Sequence, residues 1–251
     1  MRYAFALLLL STAVLAQSTP ADQENGKKAK TLIQQTIDAL GGPAYMNVRD
    51  ITQEGRTYSL HHGEAEGAGI LFWRFYKYPD SERVELTKKR DVIEIFRGSE
   101  GFETTYKGTR QQDPKVLVDY VRRRRYALDQ VLREWLNQPG IALFYEGSTV
   151  AAQKETQQVT IMNSRNEGVT LYIDSNSHLP VKKTFSWRDP TDKERNIEDE
   201  VYDNYRLVDG IMTPFSITRF YNGEMSNQRF LHNVAYNKGL SDSLFQASAT
   251  N

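Results

Sequence analysis

The chain has 251 residues, 32 basic side chains balanced by 32 acidic ones, and no cysteine. Zero formal net charge excludes the bulk electrostatic attraction that nucleic-acid binding rests on, so no nucleic acid is expected as a partner. The lack of cysteine excludes disulfides, thiol nucleophiles, thiolate metal sites and an acylated N-terminal cysteine.

The opening residues read as an export signal. Arg2 supplies a short positive region, residues 3–15 an apolar run around Leu7-Leu8-Leu9-Leu10, and Val14-Leu15-Ala16 a small-residue cleavage site. That run of roughly 13 residues is shorter than the ~20 needed to span a bilayer. The expectation is a signal peptide over residues 1–16 cleaved after about Ala16, a polar mobile leader over 17–26, and one domain over 27–251. Such a chain is expected to diffuse freely in the periplasm.

The first predicted helix covers residues 27–40, where Ala29, Leu32, Ile33, Ile37 and Leu40 form one apolar stripe. Gly41-Gly42 stops it in the left-handed region, and Pro43 follows. Strands are then predicted over 48–60, 67–78, 83–87, 92–96 and 102–106, separated by the turn residues Pro79-Asp80, Arg90-Asp91 and Arg97-Gly98. Short strands in series with turns between them make an antiparallel meander. A second helix interrupts it: Asp113-Pro114 is a cap followed by proline at the first helical position. Its pattern runs to about Leu136, and Asn137-Gln138-Pro139-Gly140 ends it. Strands resume over 141–145, 157–162, 168–173, 179–187, 200–208, 211–221 and 225–236. Asp209-Gly210 and Asn222-Gly223 are two-residue hairpin turns that set nearest-neighbour pairing for the last three. Eleven or twelve strands and two helices are expected, a mainly β (α+β) chain.

The second half resembles a known family. Leu171-Tyr172-Ile173-Asp174 followed by Leu179-Pro180-Val181-Lys182 is similar to a hairpin of the LolA/LolB-like lipoprotein-carrier superfamily, the outer-membrane lipoprotein-sorting proteins. The run from Tyr202-Asp203-Asn204-Tyr205-Arg206-Leu207-Val208-Asp209-Gly210-Ile211 to Pro214 resembles the strand pair that follows. Asn237 through Leu244-Phe245 resembles the closing element. Ala39-Leu40-Gly41-Gly42 and Gly98 to Gly101-Phe102 match more weakly. The resemblance implies a single strongly curved antiparallel sheet, an unclosed β-barrel, with the N-terminal and inserted helices on its concave face. It implies a cavity for acyl chains of lipoproteins or other lipids. The chain departs from the family at Phe102, where the carriers typically have tryptophan. Arg83, after Pro79, is the nearest match to the family's cavity arginine.

Leu71, Trp73, Phe75, Val84, Leu86, Val169, Leu171, Ile173, Phe185, Trp187, Phe215 and Ile217 are candidates to line an apolar groove; the other reading makes them core beneath the helices. Lys183 breaks the alternation between Val181 and Phe185. It either snorkels to the rim, where it and Arg83 would meet a head group, or marks a strand end or twist. Arg122-Arg123-Arg124-Arg125 fans around a helix, as a solvated face paired with Asp119 and Asp129 or as a surface for anionic lipid or an acidic partner. His61-His62 with Glu64 and Glu66 has no metal-ligand spacing, because adjacent strand residues point to opposite faces; a polar hairpin tip is expected. Glu198-Asp199-Glu200 could offer paired carboxylates of the kind glycosidases use, and suits an exposed strand start equally well; no nucleophile elbow, zinc motif or phosphate loop is present. No catalytic residue, cofactor or metal is implied. The expected function is non-enzymatic: binding or carrying a hydrophobic ligand, a lipid or lipoprotein acyl chain, with an envelope membrane protein as candidate donor or acceptor. The alternative is an envelope sensor or interaction module that regulates a partner.

Overall fold

The computed structural model describes residues 20–247, so the expected signal peptide lies outside the described residues. The first helix, α1 (Pro20–Leu40), starts well before residue 27 and takes in most of the expected leader. The reason is a two-point contact at its N-terminal end. Asn25 donates from Nδ2 to the Tyr145 carbonyl at 2.7 Å, and the Tyr145 N–H donates to Asn25 Oδ1 at 2.8 Å. A mobile leader over residues 20–26 is thereby corrected.

A short helix, α2 (Pro43–Met46), leads into β1 (Asp50–His61), β2 (Glu64–Ala65), β3 (Ile70–Lys77), β4 (Ser81–Leu86), β5 (Val92–Arg97), β6 (Glu100–Thr105) and β7 (Gly108–Gln111). Two helices follow, α3 (Pro114–Arg125) and α4 (Leu128–Arg133), then β8 (Ala142–Ala151), β9 (Lys154–Met162), β10 (Gly168–Asp174) and β11 (Pro180–Arg188). The chain closes with β12 (Arg195–Val208), β13 (Ile211–Tyr221) and β14 (Glu224–Tyr236). The 14 strands among the described residues form one antiparallel sheet in the order 7-6-5-4-3-1-14-13-12-11-10-9-8, with β2 paired to β1 alone. It does not close, and β7 and β8 are its two edges. The α3–α4 segment is the connection between those edges. It crosses the concave side, where residues of α3 and α4 face β1, β3–β5 and β12–β14.

Local chemistry explains the strand ends. Asp209 (φ 50°) with Gly210 (φ 81°), and Asn222 (φ 49°) with Gly223 (φ 86°), make the left-handed two-residue turns expected there. His62 and Gly63 do the same at the β1–β2 tip, which places the two adjacent histidines at a hairpin end. Asp50 gathers the C-terminal segment by accepting N–H groups of Lys238 and Gly239 at 2.7 and 2.9 Å. Asn237 accepts the Arg49 N–H at 2.7 Å, and Phe245 is buried.

The single long inserted helix is a correction. It breaks at Ala127, whose backbone is extended (φ −64°, ψ 145°), and its last turn is a separate 3-10 turn over Trp135–Asn137. The break redirects Val131, Leu132 and Trp135 into the core, while α3 itself buries no residue fully.

That core runs on to Phe72, Ile211, Phe215, Leu231 and Val234, but the helices fill it most completely over one half of the concave face. Ala29, Leu32, Ile33, Ile37 and Leu40 of α1 pack with the α4 residues against Val159, Ile161, Val169, Leu171, Ile173 and Phe185 of β9–β11. The end of α1 is seated by Gly41 (φ 130°), where a Cβ would lie 2.5 Å from the Gly210 carbonyl oxygen. Gly223 shares the left-handed region but has open space around it. Gly41→Ala is therefore expected to cost on the order of 3 kcal/mol and Gly223→Ala about 1 kcal/mol, read as urea midpoints. Equal costs would show that the close approach to the β12–β13 turn carries no stability.

Candidate functional site

The other half of the concave face is not filled by helix. Beneath α3 and the start of α4, a cavity of about 460 Å³ opens against β1, β3–β5 and β12–β14. Its apolar lining comes from Val48, Ile51, Phe72, Val84, Leu86 and Ile217, together with Leu128 of α4. Side chains alternate along a strand. On β3, Phe72, Arg74 and Tyr76 therefore point into this space.

The candidates from the sequence divide accordingly. Val84, Leu86 and Ile217 line the cavity. Val169, Leu171, Ile173 and Phe185 are buried in the solid core with α1 and α4, and Phe215 is buried in that core as well. Leu71, Trp73 and Phe75 occupy the opposite face of β3, a correction to the groove reading. There the Arg90 guanidinium lies 4.9 Å from the Trp73 ring and 5.8 Å from that of Phe75. An arginine stem can shield apolar surface and keep its charge in water, so the more apolar face of this strand turns outward. Trp187 is half-buried beneath Arg122, whose guanidinium sits 3.6 Å from its ring centre. Arg83 also faces away, donating to Glu85 at 2.6 Å and to the Leu244 carbonyl at 3.3 Å. It is not the cavity's arginine.

Lys183 is not at a rim. It is buried, and its Nζ donates to the Tyr126 carbonyl at 2.8 Å while pairing with Glu200 at 2.8 Å. The break between α3 and α4 thus leaves a carbonyl free for the ammonium group. Glu200 also meets Arg219 at 3.2 Å and accepts the Tyr202 hydroxyl at 2.8 Å. Burial opposes ionisation of Glu200, but Lys183, Arg219 and these hydrogen bonds outweigh it and hold the carboxyl well below the usual range. Glu198, read from sequence as part of an exposed strand start, is buried against Arg122 and Arg123.

The four successive arginines of α3 turn inward. Arg122 and Arg123 pair with Glu198 at 3.2 and 3.1 Å as well as with Asp119. Arg124 pairs with Asp129 and donates to the Tyr76 hydroxyl at 2.8 Å; Arg125 reaches Glu167 at 2.7 Å. A helix without a fully buried residue is held over the sheet by ion pairs and by Tyr120, whose ring stacks on Phe96 at 3.8 Å. The expected solvated face is corrected: only the pairings with Asp119 and Asp129 persist. Across the cavity, Arg74 is held by Glu82, with Nε at 2.6 Å. Burial also disfavours ionisation of Asp129 and Glu82, yet Arg124 and Arg74 keep both carboxyls low.

No protein-family model and no curated protein sequence matches the chain. Solved structures do. A DUF1329 family protein from Desulfovibrio piger superposes with a TM-score of 0.60 at 12% identity, covering 88% of this chain and 98% of its own. A LolA superfamily protein from Nitrosomonas europaea gives a TM-score of 0.52 at 12% identity, over 87% and 97% of the two chains. A Vibrio parahaemolyticus domain named for outer membrane lipoprotein sorting gives 0.55 at 8% identity, over 88% and 97%.

This is the LolA-like fold.

Within the LolA-like fold, the residues that carry the resemblance serve as structural fasteners. Asp174 accepts the N–H groups of Asn176 and Ser177 at 2.9 and 2.8 Å, which closes the β10–β11 turn. The Tyr205 hydroxyl donates to the Pro180 carbonyl at 2.6 Å, tying β12 to β11. The cavity's polar residues, Arg74, Glu82, Arg124, Asp129, Arg219 and Arg229, fall outside those motifs. Their sequence signal is faint: an arginine at two-residue spacing from Phe72 and Tyr76 on β3, and another two residues before Leu231 on β14.

Both the buried lysine and the low carboxyls can be tested through stability. Lys183→Met leaves Glu200 short of its closest cation and is expected to cost about 3–5 kcal/mol, measured by urea denaturation; a rim lysine would cost nothing measurable. Glu82, Asp129 and Glu200 have folded pKa values below their unfolded ones. The stability they contribute is full above the unfolded value of about 4 and is lost as pH falls through the lower folded values. The urea midpoint should hold steady from about pH 7 to 5 and fall below about pH 4, and Asp129→Asn should flatten that acid limb.

Proposed function

We propose that this protein is a non-enzymatic carrier that holds a hydrophobic ligand, a lipid or a lipoprotein acyl chain, in the cavity beneath α3. The observation that carries the reading is the uneven filling of the concave face. One half is solid with α1 and α4, and the other keeps about 460 Å³ open. That volume falls within the roughly 300–1,000 Å³ of small-molecule sites. Burying ten methylenes would contribute roughly 8 kcal/mol before ordering costs. The LolA-like fold supports the reading, since two of the similar structures are a LolA superfamily protein and a domain named for lipoprotein sorting.

Release follows from how α3 is attached. Ion pairs with Glu198, the Tyr120–Phe96 stack, the Arg122 guanidinium on Trp187 and the Arg124 bond to Tyr76 hold it, and none of its residues is fully buried, so it can separate from the sheet without opening the α1 core. The export signal in residues 1–16 supports carriage outside the cytoplasm. No helix among the described residues is long and apolar enough to cross a membrane.

The test is uptake of a neutral, environment-sensitive naphthylamine dye. Wild-type protein should bind it with enhanced fluorescence, and a twelve-carbon alkyl alcohol should displace it. Val84→Trp and Ile217→Trp, which fill the cavity from different strands, should each weaken uptake by about tenfold or more while leaving the far-UV spectrum unchanged. The control is Val150→Trp, at an exposed position of β8, which should leave uptake intact. Equal uptake by both cavity variants and wild type would contradict the assignment.

A further inference from the structure

Charge pairing along the cavity wall leaves one arginine without a carboxylate and, among the described residues, one carboxylate, Glu94 on β5, with only the Gln112 amide as its partner. Arg74 is held by Glu82, Arg124 by Asp129, Arg123 by Asp119 and Glu198, and Arg219 by Glu200. The Arg229 guanidinium lines the same cavity with no hydrogen bond and no ion pair among the described residues; it lies over the Phe72 ring, 5.3 Å from its centre. The carboxylates that act on it, Glu82 and Glu200, already serve Arg74 and the Lys183–Arg219 pair. Burial, with Arg219 and Arg74 close by, brings the Arg229 pKa down to about 10, the mark of a cation without enough counter-charge. Arg219 Nε is buried without a hydrogen-bond partner. Register places the two arginines together: Ile217 pairs with Arg229 and Arg219 with Asn227, so both side chains rise from one face of adjacent strands.

A cation that lines an apolar cavity with no carboxylate on it costs free energy. A ligand oxyanion would offset that cost. We propose that Arg229 seats the anionic head of the ligand, so that the carried molecule is an amphiphile with a carboxylate or phosphate on its alkyl chain. This rests on the carrier reading above and names the class of its ligand. The tail then lies along Phe72, Val84 and Leu86 toward β4, and the head meets the Arg229 guanidinium of β14. Such a head is recognised by charge and by hydrogen bonds, which are shorter and stronger when both partners are ionised.

The experiment uses the neutral dye with competitors of equal chain length: dodecanol, dodecanoate and dodecyl phosphate, and with inorganic phosphate alone. Wild-type protein should favour either anionic amphiphile over dodecanol by about tenfold or more. Arg229→Met should reduce that preference below about twofold and leave dodecanol affinity unchanged; Arg229→Lys should restore part of it. Ligand-free Arg229→Met should also melt no lower than wild type, because the guanidinium it replaces makes no hydrogen bond and no ion pair among the described residues. Equal affinity for alcohol and anion in wild type, or a lower Tm in Arg229→Met with the preference intact, would overturn the head-group assignment while leaving the carrier reading in place. Release of dodecyl phosphate by an equal concentration of inorganic phosphate would overturn it in favour of a free-anion site. No dye uptake at all would overturn the carrier reading, and this inference with it.

Discussion

An antiparallel sheet that curves without closing has a concave face that water or side chains must fill. Here α1 and α4 bring enough apolar volume for the half built from β9–β11, where Val159, Ile161, Val169, Leu171 and Ile173 are fully buried. The connection between the two sheet edges crosses the other half as α3, a helix with no fully buried residue. The remaining features follow from that mismatch between the span of the sheet and the reach of the helices. An open space persists under α3, its wall combines apolar and charged groups, and those charges need partners. Lys183 with Glu200 and Arg124 with Asp129 are placed where a continuous helix would have left no free carbonyl and no turn.

What could be read from the residues was what neighbours in the chain decide. The stripe of α1, its glycine stop, the Asp-Gly and Asn-Gly turns and the last three strands depend on local periodicity and on backbone conformations that few residues adopt. All of them stand in the structure. The resemblance to the lipoprotein carriers was legible for the same reason, because it rests on turn and strand-end residues such as Asp174 and Tyr205. The site was less legible. On β3 both faces carry aromatic side chains, and hydrophobicity alone selects Leu71, Trp73 and Phe75. The structure turns Phe72, Arg74 and Tyr76 inward because Glu82 on the next strand neutralises Arg74, and Arg90 covers the outer rings. Partners eight or more residues away set that orientation, and periodicity does not contain them. The break at Ala127 is hidden likewise: the residues after Tyr126 are good helix formers, and only the core that receives Trp135 and the lysine that takes the Tyr126 carbonyl favour interrupting them.

A cavity of this composition suits transport better than tight storage. Apolar walls supply affinity in proportion to the chain length buried, while α3, which buries no residue fully, is the part of the cover with least apolar area to expose on opening. The solid half keeps the sheet's shape during exchange. Cohesion and access are divided between the two halves of one sheet, and neither needs a catalytic group.

Whether the open half holds an amphiphile is tested most directly by native mass spectrometry of the protein, purified without detergent. The expected result is a population heavier than the polypeptide by the mass of one lipid-like molecule, which organic solvent extracts and which is missing from Val84→Trp. A folded wild-type protein of bare polypeptide mass, unchanged after incubation with long-chain carboxylates and phosphates, would contradict the carrier reading.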